Sequence, residues 1–277
     1  MTKSNILLQG DIGVGKSRAL ITLLPRYVDE RGKWHEGAGQ RVALLGIEPN
    51  AEASLGDTLC THHKDGIHYK YIPTMAISWG EYRNWMSIMN SMPLEKALLI
   101  EDPNRRKCRQ ILDVIDVCRG FVCERCGEDL GDSVEWNEDW TIVLDGLTGL
   151  TTIAKHLMVG LKPVLSQRDY NPVMGAVENF FDLWWGSTKC NTLLLSHVDR
   201  EVSPITGLSL ITIHTIGQKL APRLLKKPDE IITATYDEGT YKWHTELPGT
   251  ICKTRRMPRG VDLAPDFTQL FTQKVSA

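Results

Sequence analysis

The chain has 277 residues, 42% of them hydrophobic and 24% charged, with a formal net charge of −2. These are the proportions of a globular protein with one large core, and the near-neutral balance excludes any global attraction to nucleic acid. No apolar run approaches the roughly 18 residues a membrane helix needs, and the N-terminus runs straight into a strand. No membrane partner is expected, and a cytoplasmic location is (that of the host cell if the chain is phage-encoded). Seven cysteines, an odd number with no export signal, argue for reduced thiols or metal ligands rather than a disulfide framework.

Taken in chain order, "SNILLQ" predicts a buried strand, followed by a glycine-rich turn and then an amphipathic helix over "KSRALITLLPRYV". "RVALLGIE" (Arg41 to Glu48) predicts a second buried strand, and helical patterns fit residues 78–92, 149–160 and 173–189. Residues 93–138 are charged and cysteine-rich and fit the pattern least, which marks them as an insertion. "WTIVLDGL" (Trp140 to Leu147) and "NTLLLSHV" (Asn191 to Val198) are near-continuous apolar runs, as in parallel strands covered on both faces. Beyond Ser203, "LSLITIHT", "EIITATYDEGTYKWHTE" and "GTICKTR" predict antiparallel strands, with Asp237 to Gly239 as a hairpin turn. The expected architecture is α/β. It is a single domain over 1–277 with a mostly parallel sheet, helices on both faces and a C-terminal antiparallel hairpin extension.

The glycine-rich turn carries the first chemical signal. Gly10, Asp11, Ile12, Gly13, Val14, Gly15, Lys16, Ser17 and Arg18 follow the P-loop pattern G-x-x-x-x-G-K-S. Glycines let successive N–H groups point inward around a phosphate, and a following helix would add its positive end. Lys16 can reach the β- and γ-phosphates of ATP, and the Ser17 hydroxyl can ligate Mg²⁺. Asp145, closing an apolar strand, has the form of a Walker B carboxylate holding the same ion.

Three further positions resemble those of RecA-type ATPases. Glu48 ends the strand after the P-loop, where that family carries the glutamate that polarises the attacking water. His197 ends a later strand, where the family places a polar sensor of the γ-phosphate. Lys253-x-Arg255 resembles the Lys-x-Arg pair that hexameric helicases and RecA filaments insert into the neighbouring subunit's site. The order P-loop, Glu48, Asp145, His197, Lys253-x-Arg255 covers most of the chain. With "LTGLTTIAKHLMVG" and "IGQKLAPRLL", it resembles the short phage-encoded RecA-like ATPases called the Sak-four group of single-strand annealing proteins. The resemblance implies a RecA-like core and a DNA-dependent ATPase using ATP and Mg²⁺. It also implies self-association into a ring or filament, single-stranded DNA as substrate, and a single-strand-binding or annealing protein as a possible partner. Residues 199–215 would be the DNA-facing loop, with Arg200 its only fixed positive charge, so affinity per subunit should be modest. A hexameric helicase or packaging motor shares this core. A small-molecule kinase would share the phosphate cradle but have no use for a Lys-x-Arg pair acting in trans, and a non-hydrolysing, nucleotide-gated DNA clamp would use the Cys123-x-x-Cys126 zinc knuckle as its contact.

The cysteines form a second signal. Cys123-x-x-Cys126-Gly127 is a knuckle that can offer two thiolates to one Zn²⁺. Cys118 could be a third ligand. Cys108, or the cluster of Cys60, His62 and His63, could supply the fourth. Ordinary reduced thiols are the competing expectation.

Overall fold

Strand β1 (Asn5–Gly10) is buried from Ile6 onward and sits well inside a seven-stranded sheet. The computed structural model describes residues 3–29, 31–48, 51–61, 66–97, 99–107, 110–161, 166–202, 209–217 and 219–271. The glycine loop after β1 leads into a short 3-10 turn, Arg18–Leu23, not the expected amphipathic α-helix. Pro25 explains the difference. A residue before proline is driven out of the helical region, and Leu24 is extended at φ −61°, ψ 160°. Too few residues remain for a stable helix, and five in a row, Ala19 to Leu23, are buried, so no polar face exists. The chain continues into an unanticipated hairpin, β2 (Arg26–Val28) and β3 (Trp34–Glu36).

Strand β4 (Arg41–Gly46) returns to the sheet. Helix α1 (Ala51–Leu55) and a 3-10 turn, Gly56–Thr58, lead to β5 (His68–Tyr71), a short edge strand parallel to β4. Helix α2 (Trp79–Asn90) starts at a capping box in which Ser78 and Glu81 satisfy each other's backbone N–H. The 93–138 segment holds α3 (Leu94–Ala97), α4 (Pro103–Lys107) and α5 (Gln110–Arg119), then a tight turn. It gives no strand to the large sheet among the described residues, yet Val114, Val117, Phe121 and Trp136 join the main core.

Strand β6 (Trp140–Asp145), helices α6 (Leu147–Val159) and α7 (Gln167–Ser187), and β7 (Asn191–Ser196) follow. Strands β8 (Val198–Val202) and β9 (Ser209–Ile213) form an antiparallel ribbon outside the large sheet, tied to the following chain by a bridge from Ile211 to Thr250. Helix α8 (Leu220–Leu224) precedes β10 (Glu230–Asp237) and β11 (Thr240–His244). These last two join through Glu238 (φ 48°) and Gly239 (φ 80°), a two-residue turn of the kind hairpins favour. The expected strand over "GTICKTR" is reduced to isolated bridges at Thr250 and Lys253. A short α9 (Thr268–Phe271) ends the described chain.

The strand order is β11-β10-β1-β7-β6-β4-β5, parallel throughout except for the β10–β11 pair. Successive side chains alternate faces: Val143 packs with Ile6, Leu8 and Leu20, while Leu144 packs with Leu150, Val177 and Phe181. Helices α5 to α8 cover that second face. The first is covered by the 3-10 turn, Leu55, Leu59 and the Phe267–Phe271 segment, so long helices lie on one face and not on both. Among the described residues, no helix is long and apolar enough to cross a membrane.

Candidate functional site

The register lines up the C-terminal ends of four neighbouring strands. Gln9 pairs with Ser196, Leu195 with Asp145, and Asp145 with Gly46. In open parallel sheets, ligands bind at this edge. The loop from Gly10 to Ser17 wraps over it. Gly13 and Gly15 take φ of 80° and 79°, values that L side chains rarely adopt. A Cβ on Gly10 would stand 2.5 Å from the Ala234 carbonyl oxygen. Val14 is buried in the core while Ile12 projects at the tip, 85% exposed, and Arg18 is half-buried at the start of the 3-10 turn.

Lys16 points back into the loop and is buried. Its Nζ donates to the carbonyls of Gly10 (2.9 Å) and Asp11 (2.7 Å). Burial lowers its pKa, opposed by the charges of Asp145, Glu48 and Asp11. The Ser17 hydroxyl donates to Asp145 Oδ2 at 2.9 Å. Burial pushes Asp145 up to about 6; the Ser17 bond opposes this, and the Glu48 charge adds to it.

Glu48 and His197 meet across the same edge. His197 Nε2 lies 3.0 Å from Glu48 Oε2, and its Nδ1 lies 3.5 Å from Lys16 Nζ. With a carboxylate on one side and an ammonium on the other, the ring proton belongs on Nε2 and the Nδ1 lone pair faces the lysine. The His197 hydrogen bond holds Glu48 below the usual carboxylate range, against its burial. Two residues absent from the sequence expectations complete the corner. Gly146 has φ 119°, and a Cβ there would come within 2.8 Å of Glu48 Cγ, so only glycine lets that side chain lie beside Asp145. The Tyr241 ring closes over Gly15, 3.0 Å from where a Cβ would stand.

Lys16, Ser17, Glu48, Asp145 and His197 thus come together in one chain, and Lys253 and Arg255 do not join them. Lys253 pairs with Ile231, on the N-terminal side of Ala234, which is the β10 residue level with Gly10. Its Nζ donates to the Pro228 carbonyl at 2.6 Å, and Arg255 Nη1 lies 2.8 Å from Asp229 Oδ1. Arg200, midway along the β8–β9 ribbon, makes an exposed ion pair with Asp11 at 3.5 Å.

A second cluster lies at the far edge of the sheet. Cys60, His68, Cys123 and Cys126 bring their ligand atoms within 4.8 Å of one another, and the first three are buried. The knuckle and Cys60 are among the residues expected from sequence. His68 was missed, and Cys118 does not belong. Cys118 ends α5 facing the core near Cys190, where burial pushes its thiol up to about 12 and its carbonyl accepts from Ser133 N–H at 2.8 Å. Cys108, His62 and His63 lie outside the described residues. Burial raises the Cys60 thiol. Cys123 is brought down to about 5 although burial opposes it, because His68, the Tyr69 and Cys126 amides and Cys60 all hydrogen-bond its sulfur.

No known protein family matches the chain, and no curated protein does. Among solved structures it is similar to a Pyrococcus horikoshii OT3 protein determined in a structural study. The match is 10% identical, covers 91% of this chain and 93% of that one, and has a TM-score of 0.34. A likeness so distant carries no argument about fold or function.

Proposed function

We propose that the chain is a RecA-like P-loop ATPase that binds ATP with Mg²⁺ and acts on single-stranded DNA, with active sites shared between subunits. The observation that carries this is the convergence of five residues, far apart in sequence, at the C-terminal edge of adjacent parallel strands. Lys16 sits in the cradle, Ser17 is bonded to Asp145, and Glu48 is bonded to His197. One strand, β7, separates the P-loop strand β1 from the Asp145 strand β6, and its end carries His197 between the two.

Each group has a role that its environment suits. Lys16 holds two carbonyls that phosphate oxygens would replace, so its charge is pre-positioned and not mobile. Ser17 and Asp145, a hydroxyl and a buried carboxylate in contact, would hold Mg²⁺, which when bound draws negative charge from the phosphates. Glu48, kept ionised by His197, can accept a proton from water. His197 touches both Glu48 and Lys16, and its carbonyl accepts from His214 N–H at 2.8 Å, closing the β8–β9 ribbon. A shift of His197 on γ-phosphate binding would therefore be felt by the ribbon, which carries Arg200 as the DNA contact.

Lys253 and Arg255 cannot serve their own chain's site from where they stand, which suits a role in the neighbour's. Arg255 is exposed and its partner Asp229 partly buried, and an ion pair near the surface contributes only about 1 kcal/mol or less, so its release would cost little. The test is Glu48→Gln. It is expected to keep ATP binding and lower turnover by on the order of 10²-fold or more, and wild-type turnover in a folded variant would remove Glu48 from the mechanism.

A further inference from the structure

We propose that Cys60, His68, Cys123 and Cys126 bind one structural Zn²⁺ that locks the 121–130 turn onto the open edge of the sheet. Nothing in this depends on the nucleotide site. Three thiols and an imidazole are a soft donor set that suits Zn²⁺. Four protein ligands with three of them buried leave no place for a substrate, which makes the site structural and not catalytic.

The distances fit a tetrahedron. Cys60 Sγ lies 3.2 Å from Cys123 Sγ, and Cys126 Sγ lies 3.6 Å from His68 Nδ1. Zn–S bonds of about 2.3 Å imply sulfur–sulfur edges of about 3.8 Å; with all four ligand atoms within 4.8 Å of one another, closure asks for side-chain adjustments of up to about an ångström.

The backbone is built to present these atoms. In the knuckle, Gly127 N–H donates to the Cys123 carbonyl at 2.9 Å, with Gly127 at φ 75°, and Cys123 N–H donates to the Glu128 carbonyl at 2.9 Å. On the other half, a Cβ on Gly66 would lie 2.6 Å from Cys60 N and Cα, so glycine is needed for the chain to close back on Cys60. Tyr69 N–H donates to Cys123 Sγ at 3.3 Å, the kind of bond that stabilises a metal thiolate. The remaining His68 nitrogen, Nε2, lies 4.0 Å from Glu128 Oε2, a carboxylate placed to orient the ligating ring.

The site also has structural work to do. Strand β5 is the outer strand of the sheet, and an open edge invites pairing with other chains. The knuckle covers it: Glu124 N–H donates to the Tyr69 carbonyl at 2.9 Å, and Tyr71 N–H donates to Glu124 Oε2 at 3.2 Å. A metal shared between β5, the loop before it and the knuckle would fix that cover across 63 residues of chain separation.

The experiment is elemental analysis of the whole protein purified without chelators, followed by exchange into Co²⁺. One zinc per chain is expected, and the cobalt form should show thiolate charge-transfer and tetrahedral d–d absorption. Cys118→Ser should keep the metal. Cys123→Ser/Cys126→Ser should lose it and unfold at lower temperature. Should that variant not fold, the wild-type metal content and cobalt spectrum decide alone. A folded wild-type protein free of zinc, iron in its place, a Cys60–Cys123 disulfide by mass spectrometry, or full zinc in the double variant would each overturn the proposal.

Discussion

Asp145→Asn separates what this carboxylate does for stability from what it does for function. Burial raises Asp145 from 3.8 to about 6, so the folded protein resists its ionisation. At about 1.4 kcal/mol per pKa unit, that shift makes the ionised carboxylate cost the fold about 3 kcal/mol near neutral pH. The sign follows from protons bound. Between about pH 4 and 6 the folded state holds a proton that the unfolded chain has released, so wild-type stability falls as pH rises through this window. Asparagine carries no such penalty and can still accept the Ser17 hydrogen bond. Its amide, if left without an acceptor, would give back about 1–3 kcal/mol, so the gain at pH 7 lies between about 0 and 2 kcal/mol. The pH dependence is the cleaner signal. Urea denaturation from pH 4 to pH 7.5, without nucleotide, should show the variant's advantage widening by about 2.5 kcal/mol. Magnesium and ATP should then stabilise the wild type and not the variant. A stability difference constant over that range would refute the argument.

Lys16→Ala should abolish ATP binding in a folded protein, read by calorimetric titration, because it removes the charge that meets the phosphates. Gly146→Ala should spare ATP binding but lower turnover, since its Cβ would displace Glu48 from His197; unchanged turnover would mean that corner tolerates the move. Arg255→Ala should bind ATP normally and hydrolyse it poorly when assembled, by on the order of 10³-fold. Mixed with Glu48→Gln it should recover part of the activity that neither variant has alone, and no recovery in verified mixed assemblies would overturn the shared site.

What the sequence made legible was local or periodic. The Gly10–Ser17 loop is a contiguous sequence pattern, and Glu48, Asp145 and His197 each follow an uninterrupted apolar run, so their common edge follows once the runs are parallel strands. The helix after the loop failed because apolar spacing over Ala19–Leu24 outweighed one proline, whose backbone constraint ends the turn. Strand β5 was missed because "HYKY" is four residues with little apolar content, and His68 was missed with it. Cys118 was drawn into the knuckle by spacing alone; the end of α5 turns it to the core instead. Gly146 beside Glu48 brings together residues that only the finished sheet makes neighbours.

The central claim is that this edge of the sheet hydrolyses ATP in an assembly on single-stranded DNA. Its most direct test is steady-state ATP hydrolysis, with and without single-stranded DNA, across a titration of the protein. If Arg255 completes the neighbour's site, specific activity should rise with protein concentration, rise further with DNA, and vanish in Glu48→Gln. Hydrolysis absent under all conditions, or constant per chain and indifferent to DNA, would contradict it.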